Sequence, residues 1–275
     1  MIASQLTNGF GNNLFQCIAG KLLATHLNRE HFFISPYPDY YGDQFLRELG
    51  FRKKALKDVA NKVFVNEGNY NLAFSSSKEL IQSNVVMNGY FENKDYYIHN
   101  RKIINSWFPN VEKRSDNDLV FHFRTGDRLF YKNEFDSKPS AERIKKAIDA
   151  FQFANLHIVT DLPEWKRYTF EEFKVLEFHV SVTGEKRVDN MLAYEYFTSC
   201  FDMLNSYNPN IKKRSVLEDF NFIRTFDNIL FQHGTMAWWA SLLSDASNIS
   251  VYGPWRPWKQ NNKNLSEVPG WVKWE

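Results

Sequence analysis

The sequence predicts an α/β protein built on parallel sheets and arranged in two lobes. Segments with strand character alternate with segments of helical periodicity along most of the 275 residues. Several predicted strands end in short loops of small or polar residues that lead directly into a helix, as in parallel sheets that bind ligands beyond the carboxyl ends of their strands. The length suits two small lobes or one large domain. The polar run 111–118 is the predicted boundary between lobes.

The first half is expected to open with a strand at residues 2–6, a turn at 7–11 and then a helix. The helix is indicated by apolar residues with the spacing of one buried face, namely Leu14, Phe15, Ile18, Ala19, Leu22 and Leu23. Residues 30–50 are rich in Tyr, Pro and Asp and are interpreted as an irregular connection. A second strand is predicted from Val85, followed by helical material up to Trp107.

The second half shows a regular alternation of elements. Its predicted elements are, in order, a strand at 119–123, a helix at 141–151, a strand at 156–159, a helix at 216–226, a strand at 229–231, a helix at 235–243 and a last strand at 249–252. Residues 185–213 are polar and are interpreted as an insertion that carries one helix around 191–204.

Composition and charge narrow the class of protein. Apolar residues make up 43% of the chain, and the net charge of +2 is too small to predict nucleic-acid binding. Two cysteines, Cys17 and Cys200, exclude a disulfide scaffold and favour a reducing cytoplasm, with Cys17 a buried thiol. We expect no signal peptide and no transmembrane segment, and peripheral contact with a membrane surface stays open. The oligomeric state is not predicted.

The first candidate loop is 8–12, between the first strand and its helix. Gly9 and Gly11 let the backbone approach a ligand closely, and the helix N-terminus behind them favours phosphate. On these residues alone, a tight turn with a helix cap at Asn12 is favoured over phosphate binding, because short glycine-rich turns are common.

The second candidate loop follows the strand at 119–123. Strand alternation places His122 and Arg124 on the same side. A guanidinium at a strand end makes two parallel bonds to phosphate and keeps its charge, so Arg124 is predicted to hold a diphosphate. Such a cation also stabilises the charge that builds on a departing diphosphate. The alternative is a structural Arg124–Asp127 pair with His122 as a hydrogen-bonded core residue.

The third candidate loop again joins a strand to a helix, at residues 232–235. Thr235 is expected to cap the helix and to bond a phosphate oxygen through its hydroxyl and N–H groups. Trp238 and Trp239 are expected to be buried core anchors rather than platforms for a sugar.

Together these loops resemble glycosyltransferase family 11, the α-1,2-fucosyltransferases, and more broadly the fucosyltransferases that share a GT-B fold. Five stretches match the motifs of that family in the family's order, namely residues 8–16, 89–93 with Tyr96 and Tyr97, 122–127, 160–162 with Trp165, and 233–239. Thr125 stands where the family has a second arginine, and His233-Gly234 stands where it has Asn-Ser.

The resemblance implies a GT-B-like fold of two Rossmann-like lobes facing a central cleft. Residues 1–115 would form the acceptor-side lobe with the glycine-rich loop, and residues 116–275 would hold the nucleotide-sugar donor. The implied reaction moves L-fucose from GDP-fucose to a glycan hydroxyl with inversion, without a metal or other cofactor. The implied donor-binding residues are Gly11, Asn12, His122, Arg124, Thr160, Asp161, Gly234 and Thr235. The candidate catalytic residues are Arg124, Asp127 and His233, with Asp161 a further candidate base.

Two other features are assigned a smaller role. Asp116-Asn117-Asp118 has the Asp-x-Asp form of metal-dependent sugar transferases, but it precedes a strand and is interpreted as a solvated loop. The seven histidines show no metal-binding spacing.

Two alternative functions stay open, a GT-B transferase with another nucleotide sugar and a glycan- or nucleotide-binding relative without turnover. The acceptor and the linkage are not predicted.

Overall fold

Two parallel sheets, of four and six strands and flanked by helices, form the protein, which confirms the predicted α/β class. The computed structural model describes residues 1–7, 9–37, 40, 42–75, 83–114, 116–176, 188–253 and 265–275, with the backbone alone at 127, 133 and 134. The chain divides into two compact units. The first comprises Met1–Asn110 with Leu265, and the second begins at Val111 and includes Ser266–Glu275.

The strands are short and all of their pairings are parallel. In chain order they are β1 (Ile2–Gln5), β2 (His31–Ile34), β3 (Lys62–Val65), β4 (Asn84–Met87), β5 (Leu119–Phe123), β6 (Leu156–Thr160), β7 (Asn210–Ile211), β8 (Asn228–Phe231), β9 (Asn248–Tyr252) and β10 (Val272–Trp274).

The helices connect these strands, as parallel pairing requires. In chain order they are α1 (Phe10–His26), α2 (Gly42–Glu48), α3 (Tyr70–Ser75), α4 (Asp95–Ile98), α5 (Arg101–Asn105), α6 (Lys132–Phe135), α7 (Ala141–Asp149), α8 (Phe170–Val175), α9 (Asn190–Asn205), α10 (Val216–Arg224) and α11 (Thr235–Leu242). Within the described residues, no helix is long and apolar enough to cross a membrane.

The sheet of the first unit has the strand order β2-β1-β4-β3. Its central strand β1 pairs with β2 from Ile2 opposite His31 to Gln5 opposite Ile34. The interpretation of residues 30–50 as irregular is therefore wrong, since β2 and α2 both lie there. A four-residue strand has too few positions to show a clear alternation, and only its pairing with β1 identifies it.

The sheet of the second unit has the order β10-β9-β8-β5-β6-β7, with β5 in the middle. All five residues of β5 are buried. Its odd-numbered residues face one core that also contains the inner sides of α7 and α9; the members from these elements are Leu119, Phe121, Phe123, Ile144, Ala147, Ile148, Cys200 and Leu204. His122 alternates to the other face.

Two predictions for the second unit are wrong, and the predicted burial of three side chains is confirmed. The strand at 249–252 is not the last, because β10 continues the sheet parallel to β9. The stretch 185–213 is not a separate insertion where it is described, because α9 packs into the core and β7 adds the edge strand beside β6; residues 185–187 lie outside the described part. Trp238, Trp239 and the Cys17 thiol are buried, as predicted.

Candidate functional site

The second and third candidate loops emerge side by side at the carboxyl edge of the second sheet. Strand β5 pairs with β6 and with β8, placing Phe123 opposite Thr160 and His122 opposite Phe231. The residues that follow these three strands therefore start from neighbouring positions. This is the edge at which open parallel sheets bind ligands.

Arg124 and Asp161 form an ion pair at this edge. The Arg124 Nη1 lies 2.5 Å from Asp161 Oδ2, and the two side chains are 31% and 24% exposed. Burial acts to raise the pKa of Asp161, but the Arg124 charge and hydrogen bonds from Thr125 outweigh it and hold that pKa below its usual range. The pair is thus ionised and still within reach of solvent. The expected neighbour of Arg124 was Asp127, whose side chain lies outside the described part of the structure.

Thr125 and Gly126 fix the Asp161 carboxylate. The Thr125 N–H and hydroxyl both donate to Asp161 Oδ1, at 2.9 and 2.8 Å. Gly126 has a φ of +39°, and a Cβ there would lie 2.9 Å from Asp161 Cγ and overlap Oδ2. Thr125 also lies against Thr160, with their hydroxyl oxygens 3.2 Å apart. Thr125 therefore orients the ion pair.

Lys138 is a residue that the sequence analysis did not identify. It lies between α6 and α7 and donates from Nζ to the Arg124 carbonyl oxygen at 3.0 Å. The residue is half-buried, and burial lowers the pKa of its ammonium group to about 8. Its place in a loop, without a motif around it, gave no sequence signal.

His122 and Gly234 meet behind the ion pair. His122 is 4% exposed, and burial together with the Arg124 charge lowers its pKa to about 4, so its ring is neutral at pH 7. Among the described residues its Nδ1 has no hydrogen-bond partner. The alternative of a hydrogen-bonded core histidine therefore does not hold for Nδ1. Gly234 has a φ of +142°, and a Cβ there would lie 3.1 Å from His122 Cε1.

The start of α11 is an uncapped helix N-terminus. Gly234 occupies the N-cap position without a side-chain cap, and the first turn carries no acidic residue. The prediction that Thr235 caps this helix is wrong, because Thr235 is already its first helical residue. The N–H groups of this turn have no intrahelical partners. Residues 234–236 are half-exposed, so the helix start can receive an anion.

Gln232, directly after β8, belongs to the third candidate loop, but the sequence analysis gave it no role. It is 2% exposed, and in the described part of the chain neither its amide nitrogen nor its amide oxygen has a partner. Leaving such groups unpaired costs about 1–3 kcal/mol each, which argues for an occupant beside them.

The remaining catalytic candidates are placed in part. The His233 ring packs against Tyr252, with centroids 5.4 Å apart. The Asp127 backbone lies in the 3-10 turn Gly126–Leu129. The catalytic roles of both residues stay predictions.

The first candidate loop belongs to the first unit. Gly11 and Asn12 lie in the first turn of α1, whose N-cap is Gly9, so the alternative in which Asn12 caps the helix is wrong. Gln16 holds this loop by accepting from the Thr7 N–H and donating to the Thr7 hydroxyl and to the Gly89 carbonyl, at 3.0, 2.7 and 3.1 Å. The stretches 8–16 and 89–93 therefore meet at the carboxyl edge of the first sheet. Asn8 lies outside the described residues.

The Asp-x-Asp stretch is a loop with Asp116 and Asn117 exposed, as predicted, but Asp118 is not solvated. The Asp118 side chain is 1% exposed, and its Oδ1 accepts from the N–H and the amide of Asn155. Its Oδ2 lies 2.7 Å from His157 Nε2 and 3.1 Å from Arg114 Nη2. These partners satisfy the carboxylate at the amino end of β5, opposite to the candidate site. Asp118 therefore has a structural role.

Comparisons with family models, curated proteins and solved structures returned no match. Within the described residues, no group of three or more His, Cys, Asp and Glu side chains is arranged to hold a metal ion. The geometry itself offers a partly exposed guanidinium, an uncapped helix N-terminus and buried polar groups without partners at one sheet edge. This combination of groups is suited to binding an anionic, phosphate-bearing molecule.

Proposed function

We propose that this protein is a glycosyltransferase that uses a nucleotide-diphosphate sugar, with the diphosphate bound at the carboxyl edge of the second sheet. The observation that carries the proposal is the meeting of Arg124, His122 and the start of α11 at neighbouring strand ends. Three of the five motif stretches contribute to that edge although up to 111 residues separate them, from His122 to His233.

The electrostatics of the site support an anionic ligand. The Arg124 guanidinium is permanently charged, and Asp161 fixes its position in the absence of a ligand. The α11 N-terminus adds partial positive charge and N–H donors. His122 contributes a neutral ring, so it can hydrogen bond to a ligand without adding charge.

The proposed reaction balances as a single displacement at the anomeric carbon. The bond between that carbon and the diphosphate oxygen breaks, and the acceptor hydroxyl oxygen forms the new bond from the opposite side. The acceptor proton passes to a base, and the nucleoside diphosphate leaves with the electron pair. Arg124 and the α11 N-terminus stabilise the charge on this leaving group. Asp161 is a weak base because Arg124 lowers its pKa, which leaves Asp127 and His233 as the candidates.

The assignment of the fold, the donor sugar, the acceptor and the stereochemistry rests on the motif resemblance. Five stretches in family order support a GT-B fold, GDP-fucose as the donor, a glycan acceptor, inversion and independence from metal. A transferase for another nucleotide sugar keeps the same diphosphate site, and a binding relative keeps it without turnover.

The test combines ligand screening with turnover. Thermal-shift measurements with GDP, UDP, ADP and CMP should show stabilisation by GDP, and a shift from UDP but not GDP would end the fucose assignment. GDP-fucose turnover and donor hydrolysis should survive EDTA. Arg124→Ala should lower turnover by about 10²–10³-fold. Arg167→Ala, which removes an exposed arginine paired with Asp202, is the matched control and should keep parental activity.

The outcomes separate the alternatives. Turnover of Arg124→Ala close to that of the parent would refute the role assigned to Arg124. GDP binding without transfer to an acceptor and without donor hydrolysis would favour the binding relative.

A further inference from the structure

Lys138 places a second cation beside Arg124. Its Nζ donates one hydrogen bond to the Arg124 carbonyl oxygen, and an ammonium group has three donors. The Nζ also lies over the Tyr196 ring, 6.0 Å from its centroid. Lys138 comes from the loop between α6 and α7, so its contact with the end of β5 is a tertiary one.

The charge of Lys138 has no counter-ion in the described structure. None of the carboxylates described there lies within ion-pair distance of its Nζ, although the side chain is half-buried. The charged and titratable groups that act on it are Asp161, Arg124, Arg128, Cys200 and His122. Asp161 is already paired with Arg124. A partly buried cation without a counter-ion is costly, and an anionic ligand at this position removes that cost.

A second observation on the same side of the sheet points to an occupant. Gln232 is 2% exposed with both amide atoms unpartnered in the described residues, and its amide lies near the Tyr196 hydroxyl. That hydroxyl donates to the Pro139 carbonyl oxygen at 3.1 Å. Lys138 and Gln232 thus flank the same tyrosine, and both have hydrogen-bonding capacity left over.

We propose that Lys138 is the second cation of the anion site and binds the second phosphate of a nucleoside diphosphate, so that the site distinguishes two phosphates from one. This inference rests on the proposed function. Asp161 offsets the charge of Arg124, so among the described residues the positive charge left without a counter-ion at this edge comes from Lys138 and from the α11 N-terminus. One phosphate suffices for Arg124 and the helix, and a second phosphate is needed to engage Lys138.

The test is isothermal titration calorimetry with GDP, GMP and inorganic pyrophosphate. The parent should bind GDP at least about tenfold more tightly than GMP, and Lys138→Met should weaken GDP binding by about 10–100-fold, as expected for the loss of one charged hydrogen bond. GMP binding should change by less than about threefold, because a single phosphate does not need Lys138. Lys138→Arg should retain the preference. Lys145→Met, which removes an exposed lysine paired with Asp149, is the control and should behave as the parent.

A pH series supplies a readout that a structural role would not change. Because burial lowers the pKa of Lys138 to about 8, parental affinity for GDP should fall between pH 7.5 and 9.5 more steeply than that of Lys138→Arg. The charge of GDP changes with pH in the same way for both proteins, so the difference between their pH profiles measures the deprotonation of Lys138. Lys138→Gln keeps a donor for the Arg124 carbonyl without the charge, and it replaces Lys138→Met if that variant does not fold.

Failure of the proposed function can be distinguished from failure of the role proposed for Lys138. A parent that binds none of the three probes contradicts the proposed function. A parent that binds GDP with the same affinity and pH profile as Lys138→Gln and Lys138→Arg contradicts the role of Lys138 alone.

Discussion

Substituting Gly126 by alanine tests the geometry on which the site depends. The residue has a φ of +39°, and the added Cβ would overlap Asp161 Oδ2. The left-handed backbone costs an alanine about 1–2 kcal/mol. Moving the carboxylate also weakens its two hydrogen bonds from Thr125, each worth about 0.5–1.5 kcal/mol. We therefore expect Gly126→Ala to lower the free energy of unfolding by about 2–4 kcal/mol.

The control for this substitution is Gly270→Ala in the same unit. Gly270 has a φ of +85°, and a Cβ there would meet no atom of the described residues within 4 Å. Gly270→Ala should therefore lower the free energy of unfolding only by the cost of the left-handed backbone, about 1–2 kcal/mol. Urea denaturation followed by circular dichroism measures both losses. The difference between the two variants isolates the contact with Asp161.

Turnover provides the second readout. Displacing Asp161 releases Arg124 from its fixed position, and a misplaced charged group lowers a rate by about 10²-fold. Gly126→Ala should therefore lose transferase activity to that extent, whereas Gly270→Ala should keep it. If the two variants have equal stability and equal activity, the described position of Asp161 is wrong and so is its role in holding Arg124.

Three further predictions concern buried polar side chains in the two units. Asp118→Asn should lower the free energy of unfolding by about 1–3 kcal/mol in urea titrations, because it removes a buried carboxylate that accepts from Asn155 and pairs with the partly exposed Arg114, yet leave GDP affinity unchanged. Gln16→Met should cost about 2–4 kcal/mol in the same assay, since it leaves the Thr7 N–H and the Gly89 carbonyl unpaired, and a loss below 1 kcal/mol would contradict those contacts. Because burial lowers the pKa of His122 to about 4, the folded protein keeps this ring neutral while the unfolded chain takes up a proton. The group therefore costs no stability above pH 6.5 and lowers the free energy of unfolding progressively as the pH falls towards 4. The parent should lose about 2 kcal/mol through this group between pH 7.5 and pH 5, and His122→Asn should show a correspondingly smaller loss.

The parts of the fold that the sequence predicted are those with strong local patterns. The five residues 119–123 form a continuous apolar and aromatic run that ends at a loop, and β5 has those bounds. The missed strands β2, β3, β7 and β10 are short elements at sheet edges. Two to four residues carry no readable periodicity, and such strands are defined by their pairing with a neighbour that is distant in sequence.

For the candidate site, the sequence indicated residues within single loops but not the contacts between distant segments. Arg124 followed from its place after a strong strand. Its partner Asp161 is 37 residues away, and only the register of β5 against β6 brings them together. Lys138 reaches Arg124 from a loop, and Asp118 is buried by Asn155 and by a histidine on β6. Those contacts are tertiary, so composition and spacing did not reveal them.

A crystal structure of the protein with bound GDP is the most direct test of the central claim. The account predicts phosphate oxygens within about 3.2 Å of the Arg124 guanidinium and of the first N–H groups of α11. GDP bound elsewhere, with the guanidinium contacting Asp161 and no phosphate, would contradict it.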